Sequence, residues 1–301
     1  MSPRPPEAAT TLVFICDRGA LSPTALALWS ALTHASRPIE AVLVGLDLDD
    51  SDRARVSAIA DRFLRARLRH FTFDINVVGE LPTPRRHISR ATYARLFLHR
   101  YLDGPVLYLD GDVLVTGDLT DIGGLVPPGT VAAGANDYGA ANWCALQASG
   151  TPARRAAPSG WTRLGDAAAG YVNAGVLWLD LDAIRRDPAT AAALEDVERA
   201  AACPLADQDH VNQIFDGRLH LLDPAWNCSW GRLRRQRKNL AKAGIRVASE
   251  RGGARVIHYH GPAKPWLPLA FDKRTRRRLP HILRYRLARF RFNRLFPALA
   301  F

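Results

Sequence analysis

Short apolar runs alternate with helix-patterned segments through the first 110 residues, and few architectures accept that rhythm. "TLVFIC" (11–16) and "AVLVGL" (41–46) read as buried strands, and "HFTFDI" (70–75) reads as a weaker third. "PTALALWSALTH" (23–34), "RARVSAIADRFLRARL" (53–68) and "RATYARLFLHRYL" (90–102) carry helical spacing between them, ahead of a fourth strand, "VLYLD" (106–110). Strands separated by helices pair in parallel when each helix crosses back over the sheet. The expectation is an α/β fold with a mainly parallel, mixed sheet flanked by helices. "TVAAGAN" (130–136) and "AGVLWLDL" (174–181) supply later strands. The Gly, Ala, Ser and Pro between Asp137 and Gly170 read as a long loop or lid.

The fourth strand ends in "LDGD", two aspartates one residue apart, and apolar text resumes at once in "VLV". A carboxylate in such a setting is costly unless something compensates it. Asp and Gly also punctuate ordinary turns, but a turn alone does not account for the strand that follows. An Asp-x-Asp pair at a strand end can aim both side chains at one divalent cation, with hard oxygen ligands that suit Mg²⁺ or Mn²⁺ and phosphate. In open α/β sheets ligands gather at the carboxyl ends of strands, where Asp17 and Asp110 both stand. The pair alone leaves a rival open, because "LYLDGDVLV" also resembles the nucleophile motif of haloacid-dehalogenase-like phosphatases. That motif belongs on a first strand, and here three strands precede it.

Composition narrows the class further. No run of 18 or more apolar residues exists, which argues against a spanning helix, and the first 16 residues lack the pattern of a secretory leader. Cys16, Cys144, Cys203 and Cys228 are scattered without metal-knuckle spacing, as in a reducing cytoplasm. The net charge of +12 is unevenly held. From Arg232 to Phe301, 20 Lys and Arg stand against two acids, a balance of +18 that leaves −6 for the rest. Such asymmetry points to an anionic partner at the C-terminal end, a membrane surface or nucleic acid.

The neighbours of the aspartates separate the enzyme readings. "RHISRATYARLFLHRYL", "VLYLDGDVLVTGDL", "YVNAGVLWLDL", "LADQDHVNQIF" and "HYHGPAKPW" occur in that order. Together they closely resemble the family 8 retaining glycosyltransferases, particularly bacterial enzymes that transfer galactose or glucose to lipopolysaccharide. The resemblance runs from about Thr11 to Trp266. It implies a GT-A nucleotide-sugar-binding fold over 1–266, a UDP-sugar donor, a glycolipid or saccharide acceptor, and Mn²⁺ (Mg²⁺ being possible).

Residue roles follow from the same resemblance. Asp110 and Asp112 match the metal-binding Asp-x-Asp, and His258 matches the third protein ligand; an imidazole beside two carboxylates favours Mn²⁺ over Mg²⁺. Lys264, Gly261 and Arg95 match contacts to the diphosphate. Asp17 matches an acid that binds the uracil ring, although Gly19 and Ala20 replace a polar residue and a stacking aromatic of the family pattern. Asn173, Asp207 and Gln208 match the donor-sugar site, and Asp137 matches a weaker contact to sugar or acceptor. Asp209 reads as a supporting residue and Asn212 as structural.

A covalent carboxylate intermediate is one route to retention. The side chain expected beneath the anomeric carbon is Gln208, a poor nucleophile, which favours front-face attack with the departing phosphate oxygen as base.

Residues 267–301 read as an appended basic and aromatic tail. On a helical wheel its apolar residues form two stripes, one with Leu283, Leu287 and Phe290, the other with Tyr285, Phe292 and Phe296. Basic and aromatic interleaving suits a segment lying on anionic headgroups, and related enzymes attach to the inner leaflet through such C-termini. A cytoplasmic enzyme peripheral on the inner face of the cell membrane is therefore expected. Nucleic-acid binding is the non-enzymatic alternative, and the five ordered motifs disfavour it.

Overall fold

The computed structural model describes residues 10–79, 89–150, 165–248, 250–268 and 273–301. Its strands are β1 (Thr10–Cys16), β2 (Ile39–Gly45), β3 (Ala66–Thr72), β4 (Pro105–Leu109), β5 (Val113–Val115), β6 (Ala132–Asn136), β7 (Val172–Asp180), β8 (Leu219–Leu222), β9 (Cys228–Ser229) and β10 (Val256–His258). Seven form one mixed sheet in the order β3-β2-β1-β4-β7-β6-β8, and β5-β10-β9 form a small second sheet. Pairing is parallel from β3 through β4 and between β6 and β8; β7 runs antiparallel to β4 and β6. The α/β architecture expected from the rhythm of the sequence is the one observed.

β1 shows why the sheet is double-sided. Leu12, Phe14 and Cys16 enter one apolar cluster, while Val13 and Ile15 enter another on the opposite face. A strand buried on both faces reads as an unbroken apolar run, as this one does. The longer helices are α1 (Leu21–His34), α2 (Asp50–Ala60), α3 (Tyr138–Ala148), α4 (Asp207–Ile214), α5 (Leu233–Lys242) and α6 (Lys273–Leu295).

Four local expectations are corrected. The third strand lies at 66–72 rather than 70–75, and the helix before it stops at Ala60 rather than running to 68. β3 is an edge strand whose Arg67 and Arg69 face solvent, so its text looks like amphipathic helix. Residues 138–148, expected in a loop, are helical because Asp137 caps them, accepting from Gly139 N (2.7 Å) and Ala140 N (3.2 Å). Of the rest of that expected loop, 151–164 lies outside the described residues and Gly165–Gly170 is a 3₁₀ stretch leading into β7. Residues 90–102 are a 3₁₀ stretch, Arg90–Phe97, continued by an α-turn, Leu98–Tyr101.

The C-terminal helix is packed onto the body of the fold. Ile282, Tyr285, Phe292, Phe296 and Leu299 join the same cluster as Leu12 and Phe14. One of the two stripes seen on the wheel is therefore core. The other is open: Leu283, Leu287 and Phe290 are 55%, 52% and 58% exposed. No helix among the described residues is long and apolar enough to cross a membrane.

Candidate active site

Asp17 ends β1 and Asp110 ends its parallel neighbour β4, so both open into one crevice. A cavity of about 480 Å³ lies there. Its walls bring together every residue singled out from sequence: Asp17, Arg95, Asp110, Asp112, Asp137, Asn173, Asp207, Gln208, His258, Gly261 and Lys264. Ala20, His260 and Trp266 line it as well.

"LDGD" is the point where the chain leaves the large sheet for the small one. Asp110 N donates to Gly175 O of β7 (2.8 Å), and Tyr259 N donates to Asp112 O (3.0 Å), so each end of the turn is tied to a different sheet. Gly111 is required by crowding, since a Cβ there would stand 2.1 Å from Thr24 Oγ1 of α1. His258 ends β10 opposite Val113. Its Nε2 lies 3.1 Å from Asp112 Oδ1 and 3.6 Å from Asp110 Oδ2. One ligand-type atom from each of the three residues falls within 4.8 Å of the others.

Each of these side chains is held by its other polar atom. Asp110 Oδ1 accepts from Tyr108 OH (2.5 Å) and Arg95 Nη2 (2.8 Å). Asp112 Oδ2 is paired with Lys264 Nζ. His258 Nδ1 is 3.0 Å from Asn227 Oδ1, and Asn227 gives its own N–H groups to Asn173 Oδ1 (2.9 Å) and Asn173 O (3.2 Å). Asn227 Oδ1 is thus the acceptor and Nδ1 carries a proton, which leaves Nε2 to face the carboxylates. Partners of this kind orient ligands around a metal. A Cβ at Gly175 would fall 2.2 Å from His258 Cε1 and 2.6 Å from Asp110 Oδ2, so the space is kept by a missing methyl. The residues fit a divalent cation: two carboxylate oxygens and one imidazole nitrogen converge on one point. Burial opposes ionisation of Asp112, yet Lys264 and His258 outweigh it and hold the carboxyl well below its usual range.

The polar chain continues from Asn173 into the far wall. Asn173 Nδ2 donates to Asp137 Oδ2 (3.0 Å) and Gln208 Oε1 (2.9 Å); Ala174 N also reaches Gln208 Oε1 (3.2 Å). Gln208 Nε2 donates to Tyr171 OH (3.1 Å), which in turn donates to Asp209 Oδ1 (2.5 Å). Burial raises Asp137, with Asn173 and the two backbone donors opposing in part. Asp209 supports the wall from behind, and Asn212 ties α4 to β7 by bonding both Val172 N (2.7 Å) and Val172 O (2.9 Å).

Arg95 stands between two carboxylates. It reaches Asp110 on one side and Asp207 Oδ2 (3.0 Å) on the other, donates to Ala174 O (2.7 Å), and lies 4.4 Å over the Tyr108 ring. Burial raises Asp207, and Arg95 and Thr92 draw it back. The arginine is therefore paired with Asp110 and Asp207 at once. Asp17 accepts from Ala20 N (2.9 Å) and Ser89 Oγ (2.5 Å). Arg18 is turned to Asp49 (2.9 Å) and Asp52 (3.1 Å).

The model of glycosyl transferase family 8 matches residues 11–270. The chain belongs to that family. A 51-residue segment is 45% identical to glycosyltransferase GlyE of Streptococcus pneumoniae serotype 4, covering 17% of this chain and 12% of that protein. The structure is similar to galactosyltransferase LgtC in complex with donor and acceptor sugar analogs: TM-score 0.67, 24% identity, 91% of this chain and 96% of that one. It is also similar to the bifunctional glycosyltransferase WbbM, at TM-score 0.63 and 23% identity over 88% of this chain and 48% of that one. The chain thus spans about half of WbbM, and the matched segment a small part of GlyE. These likenesses share the GT-A fold.

Several residues of this family 8 chain escaped the reading by motif. Tyr108, Tyr171, Gly175 and Asn227 each steady or make room for residues singled out from sequence. Asn227 left one signal: a lone amide inside "PAWNCSW", which burial would make costly unless it were bonded.

Proposed function

We propose that the chain is a retaining hexosyltransferase that moves galactose or glucose from a UDP-sugar to a cell-envelope glycolipid or saccharide. A divalent cation, Mn²⁺ in preference to Mg²⁺, is held by Asp110, Asp112 and His258. The observation that carries this reading is the division of labour within those three side chains, one polar atom tied back and the other aimed at a shared point beside Lys264. When bound, the cation supplies Lewis-acid stabilisation of charge on the diphosphate.

The chain's own groups do the rest. Lys264 exchanges part of its pairing with Asp112 for the diphosphate. Asp17 orients the base, and Asp137, Asn173 and Asp207 give directional hydrogen bonds to sugar hydroxyls, as choosing one epimer requires. Gln208 Oε1 already accepts two N–H groups, so it serves as a fixed dipole under the sugar and not as a nucleophile. This supports front-face transfer. The open stripe of α6 and the exposed Arg284 and Arg294 beside it suit an anionic membrane surface, which sets the enzyme on the cytoplasmic face.

The test is a panel of UDP- and other nucleotide-sugars assayed for hydrolysis with Mn²⁺, with Mg²⁺ and with chelator. Turnover of UDP-galactose or UDP-glucose that chelation stops is expected. Phosphomonoester hydrolysis without nucleotide-sugar turnover would overturn the reading. For the membrane part, replacing Leu283, Leu287 and Phe290 together by Gln is expected to release the protein from anionic vesicles without unfolding it. Truncation is the wrong tool, because it removes the core residues Tyr285 and Phe292.

A further inference from the structure

Helix α6 reaches the segment that carries Lys264. Arg286 Nε donates to Pro265 O (3.0 Å) and its Nη2 to Leu267 O (3.2 Å), while Arg289 Nη1 donates to Trp266 O (3.1 Å). Three successive carbonyls are thus gripped by two guanidinium groups one helical turn apart. The Trp266 ring packs against Tyr285 of the helix, centroids 5.4 Å apart, and against Phe301 at 6.1 Å. Arg289 is itself steadied 5.2 Å over the Phe301 ring.

The segment is otherwise anchored at its start, where His260 O accepts from Trp230 Nε1 (3.0 Å) and His260 Nε2 meets Ser229 Oγ (2.7 Å), and by the Lys264 side chain on Asp112; its later carbonyls depend on α6. It has no regular secondary structure, Pro265 lacks an N–H, and the backbone bond within it is Leu267 N to Lys264 O at 3.2 Å. Yet Lys264 and Trp266 both line the cavity, and Lys264 has to meet a charged ligand at a defined point. A point charge on a flexible stem is only as well placed as the backbone beneath it.

We infer that Arg286 and Arg289 are positioning residues for the cavity-lining segment 260–267, and that α6 is thereby a working part of the donor site. The inference rests on the reading of Lys264 as a diphosphate contact. Bonds from a charged donor to carbonyls are stronger than neutral ones, though part of that strength is screened at a surface.

The experiment pairs donor kinetics with amide hydrogen exchange on the full chain. Arg286→Gln with Arg289→Gln is expected to raise KM for the UDP-sugar about fivefold to tenfold with kcat changed less, about the net worth of one hydrogen bond, because the three lost bonds act on Lys264 only through the backbone. Exchange at 260–267 should accelerate while that of β1 and β2 stays as it was. Arg286→Lys should restore part of the KM, since one ammonium cannot serve two carbonyls as the fork does. Arg291→Gln, on the same helix and bonded to none of these carbonyls, should leave KM unchanged. An equal rise of KM in the Arg291 variant would reduce the effect to net charge and overturn the inference. So would faster exchange with an unaltered KM. Failure of the unmodified chain to turn over any UDP-sugar would instead overturn the donor reading, and exchange alone would then decide the clamp.

Discussion

The floor of the cavity and the outer face of α6 treat their side chains in opposite ways. From His258 through Asn227 and Asn173 to Gln208 and Tyr171, each of these linked polar groups has a named partner. On α6, by contrast, large apolar groups stand uncovered while their neighbours one stripe away are fully buried. A saturated network is rigid and intolerant of loss, because removing one member strands another in a dry place. An uncovered stripe is tolerant within the molecule and has consequence only where something else meets it.

The sharpest trial of that contrast compares two phenylalanines two residues apart. Phe292→Ala should cost about 3–5 kcal/mol, as for other buried aromatics, whereas Phe290→Ala should stay within about 0.5 kcal/mol; urea unfolding measures both. Comparable losses would mean that the outer stripe is not free. Next in size, Gly175→Ala should cut Mn²⁺ binding and turnover by about 10²–10³ while the chain remains folded, read by paramagnetic resonance of the ion beside activity. Retained Mn²⁺ affinity would break the idea that a missing methyl keeps the site open. Asn227→Leu should weaken the ion by about 10–100-fold, the usual range for a partner that orients a ligand.

The smallest effect concerns acid. Asp112 has a folded-state affinity for protons below that of the unfolded chain, because Lys264 and His258 outweigh its burial. Its contribution to stability is therefore present above roughly pH 4 and lost as pH falls through the depressed value. In metal-free protein, Asp112→Asn should flatten that acid limb of the stability curve, and an unchanged limb would remove Asp112 as its source.

What could be read from sequence followed how many faces a segment buries. β1, β2, β4 and β7 announce themselves because both faces are covered and each carries an apolar run of four residues or more. β3 did not, since an edge strand with alternating arginines matches a helix period nearly as well. The 138–148 helix was hidden because its cap, Asp137, also carried a site motif, and alanine-rich text has no face of its own. At the site, the charged and amide residues of the ordered motifs were legible and their supports were not, whether inside a motif, as Tyr108, Tyr171 and Gly175 are, or outside it, as Asn227 is. Asn227 lies 31 positions from His258 and 54 from Asn173, and a single hydrogen bond over such a span leaves no local pattern. The wheel of α6 gave two stripes correctly, but which one faces inward is decided by the distant residues that cover it.

The hydroxyl of Tyr171 has one hydrogen, and it goes to Asp209; what Gln208 meets is a lone pair. Burial, reinforced by Asp209, raises the phenol's affinity for that hydrogen well above the ordinary value. A glutamate at 208 would find no donor on that side and would have to keep its own proton to complete the contact. Gln208→Glu should therefore give a neutral acid, visible as a carboxylic C=O band in isotope-edited infrared spectra, and not the anionic nucleophile the substitution seems to offer. Polarity in this wall runs one way, and a residue's charge state there is set by the direction of its neighbour's hydrogen.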